Sequence, residues 1–184
     1  KFTALVRNAI GAAQSAALAA NHQKLTAEHV LAALLKDDNM TVKMLLAKAG
    51  ADSASLSALL KAGLDKFPQV TGSGAGQLQL DADLARILAA VEAEAKARHD
   101  QFIAVDLLLL GMTKSTGSVG KILKKAGVEP APLGSAIDEM RKGRSADSDA
   151  AEDSYDALSR YTSDLTEAAR NGKLDPVIGR DAEV

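Results

Sequence analysis

The first 142 residues of this chain repeat themselves, and no other feature constrains its fold so tightly. Displaced by 77 positions without a gap, Ala12, Ala13 and Ala16 fall on Ala89, Ala90 and Ala93, and His22 falls on His99. Val42, Leu46, Lys48, Ala49 and Gly50 fall on Val119, Leu123, Lys125, Ala126 and Gly127, and Leu56 on Leu133. Leu25/Phe102, Val30/Leu107 and Leu60/Ile137 extend the match conservatively. A constant offset over about 60 residues marks a tandem duplication, in which two like units bury their apolar faces together.

Each unit reads as four helices. Phe2, Leu5, Ala9, Ala13, Ala16 and Ala20 share one stripe of a long first helix. Thr26 is placed to cap a second helix through Val30, Leu31, Leu34 and Leu35. A third spans about 40–49, with Gly50 where a helix end turns left-handed, and Ser53 or Ser55 caps a fourth that reaches Lys66. Pro68 and the run Gly72-Ser73-Gly74-Ala75-Gly76 interrupt the pattern. The second unit is expected at 81–98, 104–113, 117–126 and 130–142.

The fold class that follows is all-α, a pseudo-twofold bundle of eight helices in which repeat one is 1–68 and repeat two 79–142. Aromatics at only 3% in an Ala- and Leu-rich chain suit closely packed helices. Residues 143–154 are small, polar and acidic, and are expected to form a flexible linker. A further helix is expected from 155 to about 171, with Leu158, Tyr161 and Leu165 on one side, and Pro176 opens an irregular segment.

Several function classes are disfavoured by composition. Without cysteine there is no disulfide, thiolate nucleophile or Cys-based metal site. No apolar run reaches the roughly 18 residues of a membrane span, and the opening is not signal-like, so a cytoplasmic protein with no membrane partner is expected. Residues 1–142 carry 17 Lys/Arg against 14 Asp/Glu, while 143–184 carry 5 against 10. That surplus of three is too small for the phosphate-binding face of a nucleic-acid protein.

Two stretches carry a resemblance. Asn21-His22-Gln23-Lys24-Leu25-Thr26-Ala27-Glu28-His29-Val30-Leu31, with His99-Asp100-Gln101-Phe102-Ile103 as its second-copy counterpart, resembles the Clp N-terminal (Clp R) repeat domain. Ala157-Leu158-Ser159-Arg160-Tyr161-Thr162-Ser163-Asp164-Leu165-Thr166-Glu167, followed by Gly172-Lys173-Leu174-Asp175-Pro176-Val177-Ile178-Gly179-Arg180-Asp181, is similar to the entry into the first AAA+ module of the ClpB branch of that family. The chain departs from the pattern at Ile103-Ala104-Val105-Asp106, where the family has a hydroxyl cap and a Glu, so a weaker capping box is expected there. The resemblance divides the chain into a Clp R domain, 1–142, the linker, 143–154, and the truncated start of an AAA+ module, 155–184.

The resemblance also implies a function. In the family this domain binds exposed apolar segments of unfolded or aggregated polypeptides and passes them to the pore of a hexameric ATPase ring. The matching positions for an apolar groove are Leu84, Leu88, Val91, Phe102, Leu107 and Leu110, with Asp100 and Asp106 as an acidic rim. A run such as Leu107-Leu108-Leu109-Leu110 suits a core as well as a groove; four successive apolar residues cover every face of a helix, so at least one is expected to point away from the core. Asp100 also suits a turn. Rival readings are docking of adaptors in the ClpA/ClpC manner, or a purely structural repeat.

No motif for chemistry stands out. Gly-x-x-x-x-Gly-Lys-Ser/Thr is missing from these 184 residues, so no enzyme activity or catalytic residue is expected of them. In the full-length protein, with its ATP and Mg²⁺, the resemblance places Val177, Ile178 and Gly179 against the adenine. His22, His29 and His99 occupy structural positions around the second helix of each copy, and no metal is expected there. The piece is expected to be monomeric on its own.

Overall fold

The computed structural model describes residues 1–37, 40–70, 78–153 and 155. Its elements run α1 (Ala4–Ala19), β1 (Lys24–Leu25), α2 (Ala27–Lys36), α3 (Met40–Lys48), α4 (Ser53–Asp65), β2 (Gln79–Leu80), α5 (Ala82–Ala97), α6 (Val105–Thr113), α7 (Ser118–Lys125) and α8 (Pro130–Arg141). The all-α expectation holds, with two-residue strands that hydrophobic patterning did not reveal.

The duplication is present but is not gap-free. α1 buries Val6, Ala9, Ala13 and Ala17, and α5 buries Leu84, Ile87, Val91 and Ala95, each 78 residues on. Asn21 and His99, both at positive φ (60° and 63°), are also 78 apart. From Gly50 (φ 89°) and Gly127 (φ 91°) onward the offset is 77, because the second copy is one residue shorter between the start of its second helix and this glycine. The gapless pairs in the first half, His22/His99 and Val30/Leu107 among them, are therefore one residue out of register; the structural partners are Asp100 and Leu108. A one-residue slip turns a helix by about 100°, yet alanine on every face of α1 and α5 let the slipped alignment score.

Local chemistry sets most helix starts. Thr3 caps α1 by accepting the Val6 N–H, and Thr26 and His29 form a reciprocal capping box on α2. α4 is capped by Asp52, which accepts the Ser55 N–H at 3.2 Å, rather than by Ser53 or Ser55. Pro130 opens α8, where its missing N–H costs nothing.

The two copies exchange their lead-in segments. β1 and β2 pair in parallel, Lys24 with Gln79 and Leu25 with Leu80, and Phe2 pairs with Ile103 in the same sense. The Asp81 N–H donates to Leu25 O at 3.0 Å, and 78 residues away in each partner the Thr3 N–H donates to Ile103 O at 3.1 Å. Each copy thus ties its first helix to the second helix of the other. α6 lies at the centre, against α5, α7, α8 and α3. All four leucines from Leu107 to Leu110 are consequently buried, and none points out to solvent as expected, because the neighbouring helices cover the faces those four side chains occupy.

The expected flexible linker is a packed strap. Ala146, Ala151, Glu152 and Tyr155 are buried, and Ala151 to Asp153 are helical. Ala146 O accepts the N–H groups of Gln101 (2.9 Å) and Phe102 (3.0 Å), and Asp149 O accepts that of Ala4 at 2.8 Å. Composition weighs side chains, and this strap is held largely through its backbone. The helix expected from 155 to 171 falls, apart from Tyr155, outside the described residues.

Candidate functional site

The residues named as a groove separate into three places. Val91, Leu107 and Leu110 come together between α5 and α6, where with Ile87, Ala90 and Gly111 they floor a groove of about 260 Å³. Asp83, Arg86, Glu94 and Lys114 stand around it, so its rim carries both signs of charge. Leu84 is buried in the core, Leu88 is half-buried against it, and Phe102 is half-buried beneath the Lys1 ammonium, 5.5 Å from the ring centroid.

Asp100 and Asp106 form no rim. Both carboxylates are fully buried and converge on Arg141, whose Nε donates to Asp106 at 2.6 Å and whose Nη1 donates to Asp100 at 2.8 Å. Burial alone would depress the guanidinium, but the hydrogen bonds and charges of Asp106, joined by Asp100, carry its pKa above the usual arginine value. The Tyr155 ring lies between Arg141 (5.4 Å) and Arg144 (5.0 Å). The cluster is a structural lock between α6, α8 and the strap. It was hidden in the sequence because Arg141 lies 35 and 41 residues from its partners.

Ile87 and Gly111 escaped the sequence reading of the groove. Gly111 lets α6 approach α5 closely, since a β-carbon there would overlap the Val91 side chain. Ser115 donates to Asp83 at 3.0 Å and accepts the Gly117 N–H at 2.9 Å, which holds one end of the groove in shape. In the 78-residue register Ile87 is the partner of Ala9.

That register also identifies a twin groove of about 440 Å³ between α1 and α2. Its lining residues Ala9, Ala12, His29, Ala32 and Ala33 correspond to Ile87, Ala90, Leu107, Leu110 and Gly111. The first copy therefore has an alanine floor with a histidine, where the second has isoleucine and leucine. His29 accepts the Thr26 N–H on Nδ1 at 3.1 Å, so its Nε2 holds the hydrogen donated to His22 Nδ1, 2.8 Å away. Burial first, and His22 second, lower the His29 pKa to about 4. Among the described residues no group of three side chains is set to hold a metal ion.

A family profile described as the Clp repeat (R) N-terminal domain matches residues 1–126. The chain belongs to this family. The Clp repeat architecture is shared by the N-terminal domain of Hsp104 from Candida albicans, at a TM-score of 0.72 and 21% identity over 83% of this chain and 99% of that one. The N-terminal domain of the ClpV1 ATPase from E. coli is similar at a TM-score of 0.62 and 20% identity, over 73% of this chain and 82% of its own. The sequence is 45% identical to the chaperone protein ClpB of Rhodopseudomonas palustris over all of this chain, and 36% identical to that of Rickettsia typhi. The chain spans about a fifth of the length of these relatives, 21% in each case. The similarity thus extends past the Clp repeat domain into 156–184, which lies outside the described residues together with Val177, Ile178 and Gly179.

Proposed function

We propose that this Clp repeat domain is the substrate-recognition unit of a ClpB-type ATP-dependent disaggregase. It binds exposed apolar segments of unfolded or aggregated polypeptides weakly and passes them to the pore of a hexameric AAA+ ring. The observation that carries this reading is the α5–α6 groove, floored by Ile87, Val91, Leu107 and Leu110 and open to solvent at Ala90. An apolar floor takes any unfolded segment by area, without reading its sequence. The mixed rim of Asp83, Arg86, Glu94 and Lys114 gives no preference for one sign of charge. The alanine floor of the α1–α2 groove offers less apolar bulk, which favours the second copy.

Titrating the chain with a permanently unfolded protein while following backbone amide shifts tests the reading. Shifts are expected at Ala90, Val91, Leu110 and Gly111. Shifts confined to α1 and α2, or none, overturn it.

A further inference from the structure

The duplication makes each copy a template for what the other lacks. α3 packs on α8, and its twin, α7, packs on α4. On α8 Met140 is buried, and the Lys48 ammonium of α3 pairs with its neighbour Glu139 at 2.6 Å. The 77-residue register places Gly63 at the position of Met140, Ala62 at that of Glu139 and Lys125 at that of Lys48. The α4–α7 junction has therefore lost its apolar filler and its carboxylate while keeping the lysine.

An open groove of about 350 Å³ results, floored by Leu59, Gly63, Phe67 and Ile122. Lys66, Lys121 and Lys125 stand exposed on its rim, and none of them is paired with a carboxylate among the described residues. Glu28 supplies one negative charge at the base, but it is buried and accepts the hydroxyl of Ser118. At the twin junction the chain covers itself: Thr41, the counterpart of Ser118, donates to Glu152 O, and Arg144, the counterpart of Phe67, lies over Tyr155.

We propose that the α4–α7 groove docks a partner polypeptide segment that presents an acidic residue beside an unbranched apolar one. The apolar side chain fills the space that Gly63 leaves, and the carboxylate takes the place of Glu139 opposite Lys125, with Lys121 and Lys66 reinforcing it. The contact is distinct from the α5–α6 groove, whose rim does not select charge.

Fluorescence anisotropy of the full chain with three labelled twelve-residue peptides tests this, the peptides carrying repeated Glu-Met, Lys-Met or Glu-Ser pairs. The Glu-Met peptide is expected to bind more tightly than the other two, with that advantage falling as salt rises, while the α5–α6 groove adds a weak background that does not depend on charge. Ala62→Glu with Gly63→Met rebuilds the twin and is expected to abolish the Glu-Met advantage, leaving only the weak background. A β-carbon at Gly63 meets only the terminal Cδ1 of Ile122, at 3.3 Å, so a small shift of that side chain admits it, and a thermal melt checks that the variant folds. Lys121→Glu with Lys125→Glu is expected to weaken the Glu-Met peptide by about tenfold and to favour the Lys-Met peptide. Equal binding of the Glu-Met and Lys-Met peptides overturns the proposal, as does a Glu-Met advantage that survives Ala62→Glu/Gly63→Met. No binding of the Glu-Met peptide also overturns it, and self-association lost in that variant then assigns the groove to a second copy of the chain.

Discussion

The carboxylate of Glu152 accepts the backbone N–H of Val105 at 2.8 Å, across 47 residues of sequence. Ala104, at the N-cap of α6, makes no side-chain cap bond, so the strap supplies from a distance the cap that the family has locally. The same Oε2 accepts the Thr3 hydroxyl at 2.6 Å and so touches the N-cap residue of α1 as well. One carboxylate sits at the positive ends of two helices. Glu152→Ala is expected to cost about 1–3 kcal/mol, a buried cap and a hydroxyl bond being lost together. Urea denaturation gives the cost, and amide hydrogen exchange at Val105 should rise with it. Unchanged exchange at Val105 would mean that the strap is ornamental.

Burial raises the pKa of the Glu152 carboxyl above the usual glutamate value, against the opposing hydrogen bonds from Thr3 and Val105. A raised folded value means that the folded chain takes up this proton before the unfolded chain does. The contribution of Glu152 is therefore largest below the ordinary carboxylate value and fades as pH rises through the folded one. Glu152→Gln, which keeps an acceptor without the charge, is expected to flatten this part of the stability–pH curve.

His29 works in the opposite direction. Its pKa is lowered to about 4 from 6.5, so its stabilising contribution is complete above the ordinary value and is lost as pH falls toward 4. Imidazole NMR titration should find His29 still largely neutral at pH 5 and half protonated only near pH 4. Protonation would remove the acceptor that Thr26 uses and open the capping box of α2, so hydrogen exchange near Thr26 is expected to rise as the pH falls below 5, roughly one unit above the folded value.

Removing Arg141 is expected to be among the most damaging single changes. Arg141→Ala strands two buried carboxylates and should cost about 3–5 kcal/mol in chemical denaturation. Asp100→Asn or Asp106→Asn should weaken client capture only as far as it weakens folding, because neither group reaches solvent. A loss of binding without a loss of stability in either variant would return them to the site.

Ala90→Glu offers the cleanest probe of the α5–α6 groove, since Ala90 lines it and is exposed. A carboxylate laid over the apolar floor is expected to weaken capture of unfolded protein about fivefold or more, with thermal stability within about 0.5 kcal/mol of the parent. Anisotropy with an unfolded client, beside a thermal melt, reads both.

How much could be read in advance follows the range of the chemistry involved. Thr26, Gly50, Gly127 and Pro130 do their work within a few residues, so their roles were legible. The doubled four-helix plan was visible because Val42, Leu46 and Gly50 recur intact in α7 and after it. The burial of Asp100 and Asp106 was not visible, because their partner is a single arginine on α8. Nor was the strap, since four scattered buried side chains and several backbone hydrogen bonds leave no periodic pattern. Among the groove residues, Val91, Leu107 and Leu110 were found through resemblance, while Ile87 needed the corrected register.

The exchanged lead-in segments have a further consequence. Stacked helical repeats present an unsatisfied face at each end and can grow by adding units. Here the backbone before α1 is engaged by Ile103 of the second copy, and the backbone before α5 by Leu25 of the first. Among the described residues both lead-in segments are therefore answered within the pair. The duplication ties its two halves to each other, and letting them diverge gives one small fold two different faces.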